Sequence, residues 1–306
     1  MSSAPADQAE AAPRKIDPRL IASLAAVYLI WSSTYLGMKV AIHTFPPMVL
    51  GAMRFLGAGS ILLLMHRLRG GRMPTRGEVL RAAPVGALLF VAGNGFIALA
   101  QEHVASGVAA IVASTTPLWV AVLGPLFGER ARAAEWIGIG LGTTGVALLA
   151  SSAELGGDVG MIILLLLGPV GWALGSIFVR KLPQAPGVSA PALHMLWGGT
   201  GMALLWPILG ESFPSEVSGE AIAIVAYLVI FGSLVGFTAF NWLLRNTRPT
   251  LALSYSYVNP AIAVLLGAAL GGEPVHATTL AATGVLGIAV AVVIREATRK
   301  RRAENR

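Results

Sequence analysis

Two basic side chains, Lys39 and Arg54, stand inside long apolar runs of this 306-residue chain. A charge held at a bilayer centre costs about 2.5–3.5 kcal/mol, so each needs a partner or a purpose. Two roles fit them. Lys39 snorkels to the near interface and Arg54 bonds a neighbouring helix, or one or both face a central cavity and attract a carboxylate or phosphate. Two prolines, Pro117 and Pro260, also fall in the middle of apolar runs. A mid-helix proline leaves one carbonyl unpaired, and here it does so beside Thr116 and beside Tyr257 and Asn259. Either the nearby hydroxyls cap a plain kink, or the two kinks line a solute path. Further polar and aromatic residues fall near mid-run: Trp31, Ser32, Thr34, Asn94, Trp172, Ser176, Trp197 and Asn241. Singly, such residues pack or bond a neighbouring helix. Together they would make a cavity of π faces and neutral hydrogen-bonding groups, suited to small amphipathic solutes.

The elements that position these residues follow from composition. Of the chain, 55% is apolar and 12% charged, with a mean hydropathy of +0.72. Soluble domains carry about 25% charged residues, so this exterior faces lipid and a soluble enzyme is excluded. There is no cysteine, which excludes disulfides and thiolate chemistry. Apolar runs long enough to cross about 30 Å of hydrocarbon occur at 20–41, 47–65, 82–101, 107–127, 134–151, 159–180, 190–209, 221–244, 249–270 and 276–294. The expected fold is an all-α polytopic membrane protein of ten transmembrane helices. The first run is too long for a cleavable signal peptide.

Charge sets the orientation. All but two of the 22 Lys and Arg fall in alternate segments, from Arg14, Lys15 and Arg19 to the cluster Arg295–Arg306. The intervening connections carry Glu102, Glu154, Asp158, Glu211, Glu216, Glu220 and Glu273 instead. By the positive-inside rule both termini are expected in the cytoplasm. The basic tail, 295–306, is read as an orientation signal touching anionic lipid, not as a nucleic-acid patch. Residues 1–19, rich in Ala, Ser and Pro, are expected to be a disordered lead.

The chain also repeats itself at about 142 residues. Gly95-Phe96-Ile97-Ala98 returns as Gly236-Phe237-Thr238-Ala239, the run from Pro117 to Gly124 as that from Pro260 to Gly267, and Trp31 as Trp172. Segments 20–151 and 159–294 would each hold five spans. Five is odd, so the second copy would lie inverted, an arrangement found in secondary transporters with a solute site between the repeats.

With Trp31-Ser32-Ser33-Thr34-Tyr35 and Lys39, Phe45-Pro46-Pro47, Arg54-Phe55, Pro117, Phe127-Gly128-Glu129, Tyr257-Val258-Asn259-Pro260 and Gly271-Gly272-Glu273, the chain resembles the EamA family of the drug/metabolite transporter superfamily. The resemblance covers residues 20–294. It implies two inverted five-helix bundles in the bacterial inner membrane and export or facilitated movement of small organic metabolites. Family members handle amino acids, related metabolites or amphipathic drugs. No cofactor, metal or nucleic acid is expected, and monomer and homodimer both stay open.

No Asp or Glu lies mid-span, so transport is expected to be facilitative or coupled through an end-of-helix group such as Glu102, His194 or Glu129. Two competing classes lack their signatures. An intramembrane enzyme needs clustered catalytic groups, whereas the five histidines are scattered. A channel needs a pore ring or filter loop.

Overall fold

The computed structural model describes residues 17–128, 136–137, 140–142, 144–145, 147–148, 159–247 and 254–304, and among these it is helical with no strand. Helix α1 (Pro18–Ala41) begins where the Asp17 carboxylate accepts from the Arg19 N–H and proline takes the first position, which suits a helix start. Helix α2 (Pro47–Leu68) also begins on proline. Helix α3 (Arg76–Ala100) opens on a capping box, in which Thr75 and Glu78 each accept the other's backbone N–H. Then come α4 (Ser106–Phe127), α5 (Val159–Lys181) and α6 (Ser189–Ile208). Helix α7 joins Gly219–Tyr227, Leu228–Val235 and Gly236–Asn246, and is followed by α8 (Tyr255–Gly271) and α9 (Ala277–Glu304).

Six of these helices, α1 to α5 and α7, are long and apolar enough to cross a membrane, and α8 and α9 hold shorter apolar helices. Helix α6 has 20 residues, about 30 Å of helix, but mixes histidine, serine and threonine with its apolar residues. The set is consistent with ten spans. Half of the expected span 134–151 lies outside the described residues, and so does Glu129. Some boundaries move. Of the lead 1–19, residues 17–19 are described and already belong to the start of α1. The last helix continues to Glu304, through most of the segment expected as a tail, because Arg, Lys, Ala and Glu are good helix formers.

Helix packing rests on close backbone approach. The α2–α6 pair is the most extensive. A Cβ on Gly59 would lie 2.9 Å from the Ala192 carbonyl oxygen, and one on Gly199 only 2.7 Å from the Leu56 amide nitrogen. Small residues let membrane helices gain dispersion contact that lipid cannot supply. Around this pair, α3 packs on α5 and α6, α1 on α7 and α8, and α4 on α5 and α8.

Three interruptions shape the interior. Ala87–Gly95 in α3 and Leu228–Val235 in α7 are widened to π-helical turns, about 141 residues apart. Such turns recur at functional sites, because they re-aim side chains and misalign carbonyls. Helix α4 breaks at Ser114–Thr115 and restarts at Thr116 with Pro117 in its first turn, where a missing N–H costs nothing. The hydroxyls of Ser114, Thr115 and Thr116 donate to the carbonyls of Ile111, Val112 and Ala113 at 2.6–2.8 Å. The repeated prolines therefore do different things: Pro117 restarts a helix, while Pro260 sits inside the unbroken α8.

Candidate functional site

Between the two halves of the chain lies a partly open cavity, with about 620 Å³ of space free of protein atoms when the adjoining open solvent is counted. Seven helices line it. Helix α1 contributes Trp31, Thr34, Tyr35 and Met38, which the helical repeat places on one face. Arg54 comes from α2, while Gly93, Asn94 and Ile97 come from the widened turn of α3 and the turn after it. Ala113 and Thr116 flank the break in α4, and Pro169 and Trp172 stand one turn apart on α5. Phe237 on α7 and Tyr255 and Asn259 on α8 complete the wall.

The two tryptophans sit in glycine notches cut by the other half's widened helix. A Cβ on Gly236 would lie 2.4 Å from Trp31 Nε1, and one on Gly93 would lie 3.0 Å from Trp172 Cε3. Trp31 donates its indole N–H to the Gly232 carbonyl at 3.2 Å, pairing an oxygen of the π-helical stretch. In α3 the Asn94 side-chain amide donates to the Leu89 carbonyl at 3.1 Å. Around Trp31 the rings of Trp172, Phe237, Phe240 and Tyr255 stand 5.0–6.1 Å away, edge-on or tilted. These are the favourable aromatic geometries.

Arg54 is 4% exposed. Its Nε donates to Ser233 Oγ at 3.0 Å and its Nη1 to Met38 Sδ at 3.3 Å, and the guanidinium carbon stands 4.9 Å from the Phe55 ring centre. Among the described residues it makes no ion pair. Asn259 is 5% exposed, and its Oδ1 has no hydrogen-bond partner among them.

The cavity thus collects Trp31, Thr34, Arg54, Asn94, Thr116, Trp172 and Asn259 of the residues singled out from sequence. Pro117 and Pro260 are buried beside it. Ser32, Ser176 and Asn241 instead bond the carbonyls of Tyr28, Trp172 and Phe237 within their own helices, the usual outlet for a polar group in a helix. Trp197 donates to the Val79 carbonyl at 2.7 Å. The side chain of Tyr257 lies outside those described. Lys39 bonds the Gln101 carbonyl at the end of α3, away from the cavity wall. Tyr35, Met38, Ile97, Pro169, Phe237 and Tyr255 join the wall beyond the expected path residues; Tyr35 belongs to the family motif and Ile97 and Phe237 to the repeat, and each stands three or four residues from an expected one.

One end of the bundle is tied by carboxylates from the second half. Glu211, after α6, accepts from the Met48 and Val49 N–H groups at the start of α2, at 3.0–3.1 Å. Glu273, after α8, accepts from the Ser106 N–H at 2.9 Å, the Ser106 hydroxyl at 2.8 Å and the Gly107 N–H at 3.4 Å. Each anion meets the unpaired donors and positive dipole of a helix start. Gly272, in the left-handed region at φ +63°, turns the chain so that Glu273 can reach back. At the opposite end the ties are different: Arg72 pairs with Glu78 at 2.7 Å, and His194 bonds Gln184 at 2.9 Å.

A family model described as the EamA-like transporter family matches residues 19–151 and again 159–295. The chain belongs to this family. It is a multi-pass membrane transporter, as the apolar helices and the family together require. An Escherichia coli K12 protein described as an uncharacterized inner membrane transporter, YedA, is 39% identical over 275 residues, 90% of each chain. YdfC of Bacillus subtilis, an uncharacterized transporter, is 24% identical over 83% of each chain. An uncharacterized transporter of Archaeoglobus fulgidus is 24% identical over 89% of this EamA chain and 98% of its own. One solved structure, titled only as a crystal structure of a protein, matches with a TM-score of 0.65 at 22% identity over 92% of this chain and 98% of that one, a likeness of fold.

Proposed function

We propose that this EamA-family protein carries small organic solutes across the inner membrane by alternating access, with residues 20–151 and 159–294 acting as two inverted five-helix units. The observation that carries the reading is the cavity: helices of both halves wall it, and aromatic rings and polar groups line it together. Carriers with inverted repeats hold their solute at that interface. The charge alternation supports cytoplasmic termini, which puts the Glu211 and Glu273 ties on the outer face. The described arrangement is then closed outside. Amino acids, related metabolites or amphipathic drugs are the solutes implied by the family resemblance.

If the carboxylate ties hold the outer face shut, Glu273→Ala shifts the carrier toward outward opening. Losing a helix cap costs about 1 kcal/mol, a roughly fivefold change in a two-state ratio. A cysteine introduced at Thr116 should therefore react about fivefold faster with an impermeant thiol reagent added outside, the chain having no cysteine of its own. Acidity acts in the other direction through Glu211. Burial pushes its carboxyl up, against the pull of the Met48 and Val49 N–H groups, and Glu102 adds to the rise. A group that binds its proton more tightly when closed favours the closed form as pH falls. Outside labelling should fall as pH drops through the range just above the ordinary carboxylate value. Labelling that ignores both the substitution and the pH would remove the outer latch.

A further inference from the structure

We propose that Arg54 selects solutes by charge, so that the central cavity takes a small molecule with one anionic group on an apolar or aromatic body and rejects cations. This rests on the carrier reading of the cavity. Arg54 presents five N–H donors, yet its partners are a hydroxyl, a thioether and a ring, none of them charged. Among the described residues no Asp or Glu lines the cavity with it. A buried charge with only neutral partners costs several kcal/mol, which an incoming anion would offset by a charge-assisted, bidentate contact. Gly232 lets the α7 backbone come close to the guanidinium: a Cβ there would stand 3.0 Å from Arg54 Nη2 and 2.9 Å from Thr34 Cγ2.

The rest of the wall fits the remainder of such a solute. Trp31, Trp172, Phe237 and Tyr255 offer ring faces and edges to an apolar body. Asn259 Oδ1, buried and unpaired among the described residues, accepts a donor carried elsewhere on the molecule. A cation would meet the guanidinium at close range in a low dielectric, without a compensating carboxylate.

The test uses the full-length protein in detergent and in proteoliposomes, with single-ring probes: benzoate, benzenesulfonate, phenyl phosphate, benzamide and benzyltrimethylammonium. Binding is read by calorimetry and carriage by counterflow of labelled probe. At least one anion is expected to bind tenfold or more tightly than the amide and the quaternary ammonium. Which anion binds tells a carboxylate or sulfonate solute from a phosphate. Arg54→Gln should bring anion and amide within threefold of each other, and Arg54→Lys should keep part of the preference. If Arg54→Gln does not fold, discrimination by the native protein decides. Binding of the ammonium as tight as that of any anion, or binding by no anion, overturns charge selection. Anion binding without counterflow would leave the selection standing and overturn the carrier reading.

Discussion

Gly199→Leu is expected to leave little folded protein. Helices α2 and α6 form the broadest contact in the bundle, and they meet through backbone. At Gly199 the nearest atom to an added Cβ is the Leu56 amide nitrogen, at 2.7 Å, with Leu56 Cγ at 2.9 Å. A flexible side chain could swing aside, whereas a main-chain nitrogen inside a helix can move only with its helix. Overpacking a well-packed core typically costs about 1–3 kcal/mol, and a clash against backbone belongs at or above the top of that range. Against a total stability of about 5–15 kcal/mol, this is enough to lose the monodisperse peak in size exclusion or to lower the melting temperature sharply. Gly284→Leu is the control, because a Cβ there meets nothing within 4 Å. A Gly199→Leu protein as stable as Gly284→Leu would mean that α2 and α6 do not approach in this way.

Trp31→Ala carries the second large effect. The indole touches four rings contributed by α5, α7 and α8 and pairs the Gly232 carbonyl. Removing a buried tryptophan costs about 3–5 kcal/mol, because the surrounding wall cannot collapse into the space. Trp31→Phe keeps a ring in place but loses the indole's bond to the Gly232 carbonyl, about 0.5–1.5 kcal/mol. Thermal unfolding in detergent should therefore order the proteins as native, then Trp31→Phe, then Trp31→Ala. An alanine variant within about 0.5 kcal/mol of native would deny Trp31 its place at the junction of the halves.

Sequence reveals the membrane helices more readily than their faces. Length and hydropathy identify α1 to α5 and α7, because each must cover the hydrocarbon with apolar residues. The same apolarity hides which side faces protein. On α1, Val27 is fully buried while Leu29 is 61% exposed, and nothing in their chemistry distinguishes them, since lipid and protein interior are equally apolar. That is why Met38 and Pro169 carry no signal in the sequence and Ile97 and Phe237 stand out only as repeat marks, whereas Ser32, Ser176 and Asn241 look like path residues; polarity in a helix can be satisfied by its own carbonyls. Helix α4 was legible at its break, because proline and three adjacent hydroxyls state the chemistry locally. The widened turns of α3 and α7 were not. They accompany indoles seated against glycines from the other half, a contact about 80 to 200 residues distant in the chain. Arg54 and Asn259 could be named from their types at that depth, but not their lack of charged or hydrogen-bonding partners.

The most direct test of alternating access is the sidedness of a single cysteine in the cavity wall, Asn259→Cys, in oriented vesicles. The proposal predicts labelling by an impermeant reagent from the inner face at rest, labelling from the outer face once Glu273→Ala releases that end, and protection by bound solute from either side. Labelling from both faces at once in the resting protein would describe an open pore. Labelling from neither face, with or without Glu273, would place Asn259 outside any solute path and contradict the carrier.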